Sequence, residues 1–495
     1  MPLTSARFGR TSVALGFLVL PLLVSARASE SPSAAQVHDA LARASAAMRS
    51  IAVHGGYVWR ISEDGRSRFG ENPTTATQIW VQPPGTPAVG SAFLRMYEAT
   101  GDTVHLDAAR DAALALVHGQ LESGGWDYLV EFDPELRSRW AYRADGAVAE
   151  TTREGRRNLS TYDDDNTQSV IRFLVRFCVA AASHPDPRDA QIADARDYAL
   201  RKLIEAQYPN GAWPQRWSGT PHDPKRLPVV PASFPEAYPR EHPQTTYYSH
   251  YTLNDATHRD CVRTLLEAHR LTGVAAYREA AHRGADFLLL AQLPAPQSAW
   301  AQQYDAAMHP AWARAFEPPA VCTSESGGVL TLLLEMYSEF GDTRYLDAAK
   351  AALPWFERVR LGPDRWARLY EIGTDRPIYG DRDGRIHYSL GEISEERRTG
   401  YSWEGSYNLP TVLRRVAGAP ASLSTESPRR NASSDREAAS VLASQHADGS
   451  WKGPARAGTS STETAWISSL QFVRNVETLC AWLEASRTDR EPDHT

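Results

Sequence analysis

One pattern recurs along this chain and leaves few folds open. Leu94 to Thr100 ends an apolar-periodic segment at Gly101, and an Ala-rich segment follows from Asp102 to Ala109; Leu266 to Gly273 with Tyr277 to Ala281 repeats it, and Leu334 to Gly341 with Leu346 to Ala349 repeats it again. Ile171 to Gln207 is a looser copy. Apolar residues at helical spacing, closed by the residue that best tolerates a left-handed C′ position, predict helical hairpins. A second element follows the hairpins. Gln120 and Trp126, Gln207 and Trp213, and Gln445 and Trp451 each place Trp six residues after Gln with Gly between, and Gln292 to Trp300 is a stretched relative. Neighbouring units are spaced by roughly 70 to 90 residues, wider than the repeats of open helical solenoids. Helix pairs of this size with elaborated loops predict an all-α protein, a closed α/α toroid whose Trp-bearing loops gather at one mouth.

Arg7 and Arg10 precede an apolar run from Val13 to Val24 and then Ser25-Ala-Arg-Ala28, which reads as a signal peptide cut after Ala28 and predicts a periplasmic or secreted protein without stable membrane insertion. Without residues 1–28 the chain has 50 basic against 60 acidic residues, so its net charge moves from −7 to −10. So acidic a surface disfavours nonspecific nucleic-acid binding. It would also repel a polyanionic sugar unless a local arginine cluster or a bound divalent cation reversed the field. Cys178, Cys261, Cys322 and Cys480 show no C-x-x-C spacing, so a zinc site is not indicated, and both disulfides and buried thiols remain open. The toroid is expected over 29–418, a linker or exposed loop over 419–438, a closing helical segment over 439–486 and a tail over 487–495, in a monomer. The Pro- and aromatic-rich stretch from Trp217 to Tyr248 is too long for a silent connection and predicts an ordered loop near the mouth.

Four groups of residues carry chemistry. Arg314 and Glu317 are three apart, a spacing that can share a helix face, and Pro318-Pro319 stop any helix there; Arg314 is expected at a helix end beside a loop. Asp163-Asp164-Asp165 and Asn254-Asp255 each open a predicted helix. One Asp caps a helix, but three in a row exceed what a cap requires, and oxygen ligands from two helix starts suit Ca²⁺. Arg376, Arg382, Arg385, Arg397 and Arg398 fall on Gly- and Pro-rich loops, where arginine can pair carboxylates bidentately. Of these, Arg376 beside Pro377 and Arg398 near Tyr401 and Trp403 are the stronger candidates. Trp213, followed by Pro214 and Gln215, is the Trp best placed to offer a sugar platform.

In order along the chain, Ser160-Thr161-Tyr-Asp163, Asn210-Gly-Ala-Trp213-Pro-Gln215, Tyr248-Ser-His-Tyr-Thr-Leu-Asn254-Asp255, Gln303-Tyr-Asp305, Ala313-Arg-Ala-Phe-Glu317-Pro-Pro, Tyr370-Glu-Ile-Gly-Thr-Asp-Arg376-Pro and Arg397-Arg-Thr-Gly-Tyr401 resemble the pectic acid lyases of polysaccharide lyase family 10, over about residues 159–403. The resemblance implies an α/α toroid that cleaves polygalacturonate by calcium-assisted β-elimination. It implies Arg314 as the base at C5, Asp163 and Asp255 as calcium ligands, and Arg376 and Arg398 as substrate contacts, to which the residue reading adds Trp213 and Gln215. The chain departs from the family pattern at Ala301 and Ala212. Two other readings stay open: a glycoside or unsaturated-uronyl hydrolase using two carboxylates, and a non-catalytic periplasmic carbohydrate-binding protein.

Overall fold

The computed structural model describes residues 31–146, 155–420, 433–453 and 465–488. The expected signal peptide lies outside them, as does most of the expected linker. The helices are α1 (Ala34–Ser50), α2 (Thr86–Thr100), α3 (Thr103–Val117), α4 (Asn166–Ala181), α5 (Asp189–Glu205), α6 (Thr257–Thr272), α7 (Ala275–Leu290), α8 (Thr323–Phe340), α9 (Thr343–Arg358), α10 (Glu395–Gly400), α11 (Leu409–Gly418), α12 (Asp435–Ala443) and α13 (Ser469–Thr488). The start of α12 falls inside the stretch expected to be a loop.

The hairpin turns are local chemistry. Gly101, Gly273 and Gly341 end α2, α6 and α8 in the left-handed conformation, at φ of 75°, 75° and 71°. Asp102 and Asp342 then accept from the amides of Val104 and Arg344 and so cap α3 and α9. A Gly-Asp pair thus stops one helix and starts the next within two residues, which forces an antiparallel pair.

These pairs assemble as an α/α toroid. One row runs α13, α2, α4, α6, α8, α11, each packed on the next, and α3, α5, α7 and α9 lie behind as hairpin partners; α12 and α1 both pack on α13. The Gln-Gly-Trp loops weld the rows. In each, and in the loop of Trp366 where Arg360 stands in place of Gln, the indole is buried and its Nε1 donates back to the preceding helix: Trp126 to Leu116 O, Trp213 to Leu203 O, Trp300 to Leu288 O and Trp366 to Phe356 O, all at 2.8 Å, and Trp451 to Val441 O at 3.1 Å. Burying one such indole stabilises the fold by about 5 kcal/mol.

The Gln of each loop faces sideways. Its Nε2 donates to a carbonyl inside its own loop and to one on the next outer helix: Gln120 to Ala195 O, Gln207 to Ala280 O, Gln292 to Ala348 O and Gln445 to Ala40 O, at 2.8 to 2.9 Å. The last of these joins the C-terminal part of the chain to α1 and closes the circle. Gly211 sits at φ 93°, and a Cβ there would come within 2.1 Å of Arg283 O on the adjacent α7, so that close approach requires glycine.

Short antiparallel ribbons line the loop-bearing mouth. Ser160–Thr161 pairs with Arg216–Trp217, Tyr251–Thr252 with Gln303–Tyr304, and Val321–Cys322 with Leu369–Tyr370. Each fixes the segment that enters α4, α6 or α8, where the acidic residues stand. The four cysteines are free thiols, Cys261, Cys322 and Cys480 buried and Cys178 half-buried.

Candidate active site

Two turns of the same shape approach one another at the starts of α4 and α6. Asp164 and Asp165 have φ of 52° and 58°, Asp255 and Ala256 of 49° and 62°, so each helix is entered through two consecutive left-handed residues. That conformation is costly for residues other than glycine and concentrates at functional sites. It turns Asp163, Asp164 and Asp255 toward one point, where one oxygen from each lies within 4.8 Å of the others. Asp165, left open with them by the sequence, instead pairs with Arg172.

The cluster is short of positive charge. Asp163 is pushed up to about 7, by burial first and then by Asp255 and Asp164; Asp255 rises to about 6 through burial and Asp164, against the pull of Arg314. Asp163 Oδ2 accepts from Gln215 Nε2 at 3.0 Å and Tyr128 O–H at 3.2 Å, whereas its Oδ1 and the buried Oδ1 of Asn254 meet no donor. Hard oxygens, mutual repulsion and two orphaned buried acceptors are what a divalent cation of the Ca²⁺ kind would satisfy. Asp163, Asp164 and Asp255 would hold it, with Asn254 beside them.

Arg314 stands next to this cluster, its Nη2 3.8 Å from Asp255 Oδ2. The expected helix end is not found. Arg314 lies in a tight turn of an irregular loop, closed by Glu317 N–H donating to Arg314 O at 2.8 Å, because Pro310, Pro318 and Pro319 leave no room for a helix. The Arg-Glu pairing itself holds: Nε and Nη2 of Arg314 donate to the two oxygens of buried Glu317 at 2.7 and 2.5 Å. Burial pulls the guanidinium down, but Glu317, with Tyr401 and Asp255 behind it, outweighs burial and holds Arg314 above the ordinary arginine range. Among the described residues Nη1 makes no hydrogen bond, so it is the nitrogen left to meet a substrate.

Several neighbours were not singled out by sequence. Tyr401 donates to Glu317 Oε1 at 3.0 Å, and its ring lies 4.7 Å from the Arg368 guanidinium, which in turn reaches half-buried Glu325 at 3.5 Å. Glu325 is pushed up to about 7, mainly by burial, with Arg368 opposing the rise and Asp255 adding to it. Arg314 and Arg397 both stack on Phe316, at 4.9 and 4.5 Å. Asp164 was legible from its register with Asp255 in the repeated turn. Arg368 carried no local signal, since it stands between two strands of two residues each, Trp366–Ala367 and Leu369–Tyr370.

The predicted substrate contacts divide. Gln215 is at the site, positioning Asp163. Trp213 is not a sugar platform: it is fully buried, tilted against His258 with ring centres 5.3 Å apart, because the loop needs its indole to close α5. Arg398 is exposed on α10 and points away, while its neighbour Arg397 turns inward to Phe316, as the 100° step between helical neighbours requires. Arg376 is exposed on the rim and stacked on Tyr388 at 3.7 Å.

Residues 230–363 and 359–411 match the model of the family described as pectic acid lyase. No curated protein matches. Among solved structures, the family 10 polysaccharide lyase from Cellvibrio cellulosa is 22% identical, with 66% of this chain and 96% of that chain covered and a TM-score of 0.45. A mutant of that enzyme in complex with trigalaturonic acid gives 21%, 67%, 99% and 0.43, and cellobiose 2-epimerase from Spirochaeta thermophila 13%, 92%, 98% and 0.41. The matched stretch carries Asp255, Arg314 and the arginine-rich loops, and its similarity to the pectic acid lyase family supports a polysaccharide lyase.

Proposed function

We propose that the protein is a secreted pectate lyase that cleaves polygalacturonate by β-elimination with calcium, using Arg314 as the base at C5. The observation that carries this reading is the contact between a cation-seeking carboxylate cluster and a guanidinium with one free edge, Arg314 Nη1, on the same loop mouth. A bound Ca²⁺ would neutralise a uronate carboxylate and so acidify the adjacent C5 proton. Arg368 and Arg397 supply further positive charge toward that carboxylate as charge develops on it. Arg314 Nη1 takes the C5 proton, and the bond to the leaving O4 breaks as the C4–C5 double bond forms.

A guanidinium is a poor base, and Glu317 and Asp255 hold this one protonated. The base role therefore requires that the pull of Asp255 be cancelled by the cation and that the medium be alkaline. Signal cleavage after Ala28 accords with a polymeric substrate too large to enter a cell; among the described residues no helix is long and apolar enough to cross a membrane. The test is ultraviolet absorbance of residues 29–495 with polygalacturonate at alkaline pH, in Ca²⁺ and then in EDTA. A calcium-dependent rise from 4,5-unsaturated product is expected. Reducing ends without absorbance would establish a hydrolase, and saturable binding without either signal a binding protein.

A further inference from the structure

The long segment from Trp217 to Tyr248 does more than cross the mouth. Its stretch around Arg240 is pinned on both sides: Trp312 Nε1 donates to Pro239 O at 2.8 Å, His242 Nε2 donates to Ala313 O at 2.9 Å, and His242 N–H donates to Gly384 O at 2.8 Å. The segment is therefore wedged between the Arg314 loop and the arginine-rich loops. There Arg240 lies over the Tyr238 ring at 4.8 Å and Arg376 over the Tyr388 ring at 3.7 Å.

Charge at this corner does not balance. Glu371 is the shared carboxylate, and it is saturated: Arg240 reaches it at 2.8 Å, Tyr388 O–H donates to it at 2.8 Å and Thr374 O–H at 2.7 Å. Asp375, next in sequence to Arg376, is taken by Gln297, Trp355 and Arg358. Of the two exposed guanidinium groups, Arg240 pairs with buried Glu371, and Arg376 has no ion pair among the described residues, on a protein whose net charge is −7. Arg376, over the Tyr388 ring, keeps its N–H groups for a carboxylate, while Arg240 already donates from Nη1 to the Tyr238 hydroxyl at 2.5 Å and from Nη2 to Glu371 and has its remaining N–H groups to offer. Ring faces and hydroxyls beside it suit a pyranose.

We propose that Arg240 and Tyr238, with Arg376 and Tyr388, form an outlying subsite that holds a uronate unit of the polymer beyond the sugar at which the bond breaks. The proposal rests on the uronate reading given above. Glu371 stands three residues of extended chain, about 10 Å, beyond Arg368, and Arg240 stands beside the residues that lead into Arg314. The subsite is thus continuous with the catalytic corner without being part of it, and it favours long chains over short ones.

The experiment compares wild type, Arg240→Ala and Tyr238→Phe on saturated galacturonate trimers and hexamers and on polygalacturonate, by steady-state kinetics and by calorimetric binding. For Arg240→Ala the expected result is KM raised about tenfold for hexamer and polymer, kcat unchanged, and trimer kinetics unchanged. Tyr238→Phe, which keeps the ring, should alter KM less than threefold. An equal loss on trimer and hexamer, which a merely loosened Arg314 loop would give, overturns the subsite, as does no change on either. If wild type yields no unsaturated product at all, the lyase reading falls. Calorimetry then still decides the subsite, because tighter binding of hexamer than trimer that vanishes in Arg240→Ala keeps it and its absence removes it.

Discussion

Two kinds of loop meet at one mouth of this toroid, and they differ in whether they repeat. The Gln-Gly-Trp loops recur around the ring with the same bonds, an indole to the helix behind and an amide to the helix beside, and they touch no cluster of unbalanced charge. The loops bearing Asp163, Asp255, Arg314 and Arg368 occur on one side only, hold strained backbone, and leave charges and acceptors unmet. Repetition here marks what every unit needs in order to pack; departure from it marks chemistry. Trp213 and Gln215 show the boundary within three residues, the first closing α5 and the second reaching Asp163.

The sharpest way to test that division is at Arg314. Arg314→Ala should lower kcat for elimination by at least about 10³-fold, some 4 kcal/mol in the barrier, while oligomer binding survives; the melting temperature should fall as well, because buried Glu317 loses its partner. Comparable activity in the variant would remove Arg314 as base. On the repeating side, Trp213→Ala should destabilise the fold by about 3–5 kcal/mol in denaturant unfolding. If it instead weakened oligomer binding at unchanged stability, the indole would belong with the site after all.

A smaller effect separates the two kinds of loop by pH. Asp163 at about 7, Asp255 at about 6 and Glu325 at about 7 all lie above their usual values, so between about pH 4 and pH 7 the cation-free fold binds more protons than the unfolded chain. Stability in EDTA should therefore fall as pH rises through that window, and the rise in melting temperature on adding Ca²⁺ should grow over the same range. A calcium effect independent of pH would argue against these carboxylates as ligands. Smallest of all, Gln445→Ala removes the bonds to Ala40 O and Gly449 O at the ring closure and should cost about 1–3 kcal/mol, read by the same unfolding curves with no change in kcat.

Much of the fold was legible because its determinants are local. Gly101-Asp102 and Gly341-Asp342 stop and restart a helix within two residues, and the Gln and Trp of three of the loops are six apart, close enough that their bonds recur as a visible pattern. The site was legible only in part. Asp163, Asp255 and Arg314 were found through residue type and family motifs, and Asp164 could have been read from the register shared with Asp255. Arg368 and Tyr128 gave no signal, because what makes them site residues is a contact with elements distant in sequence.

Residue types and spacing by themselves determined a toroid of helix pairs, an acidic chain with carboxylates at two helix starts, and an arginine-glutamate pair set off by prolines. Tertiary structure decided which of these meet. It turned Arg397 inward and Arg398 outward by one helical step, consumed Trp213 in packing, and brought Arg240 beside Arg376. The reason is physical: caps, turns and hairpins are settled by neighbours a few residues away, whereas the balance of charge at a point depends on every chain segment that reaches it, and here those segments come from four separate loops.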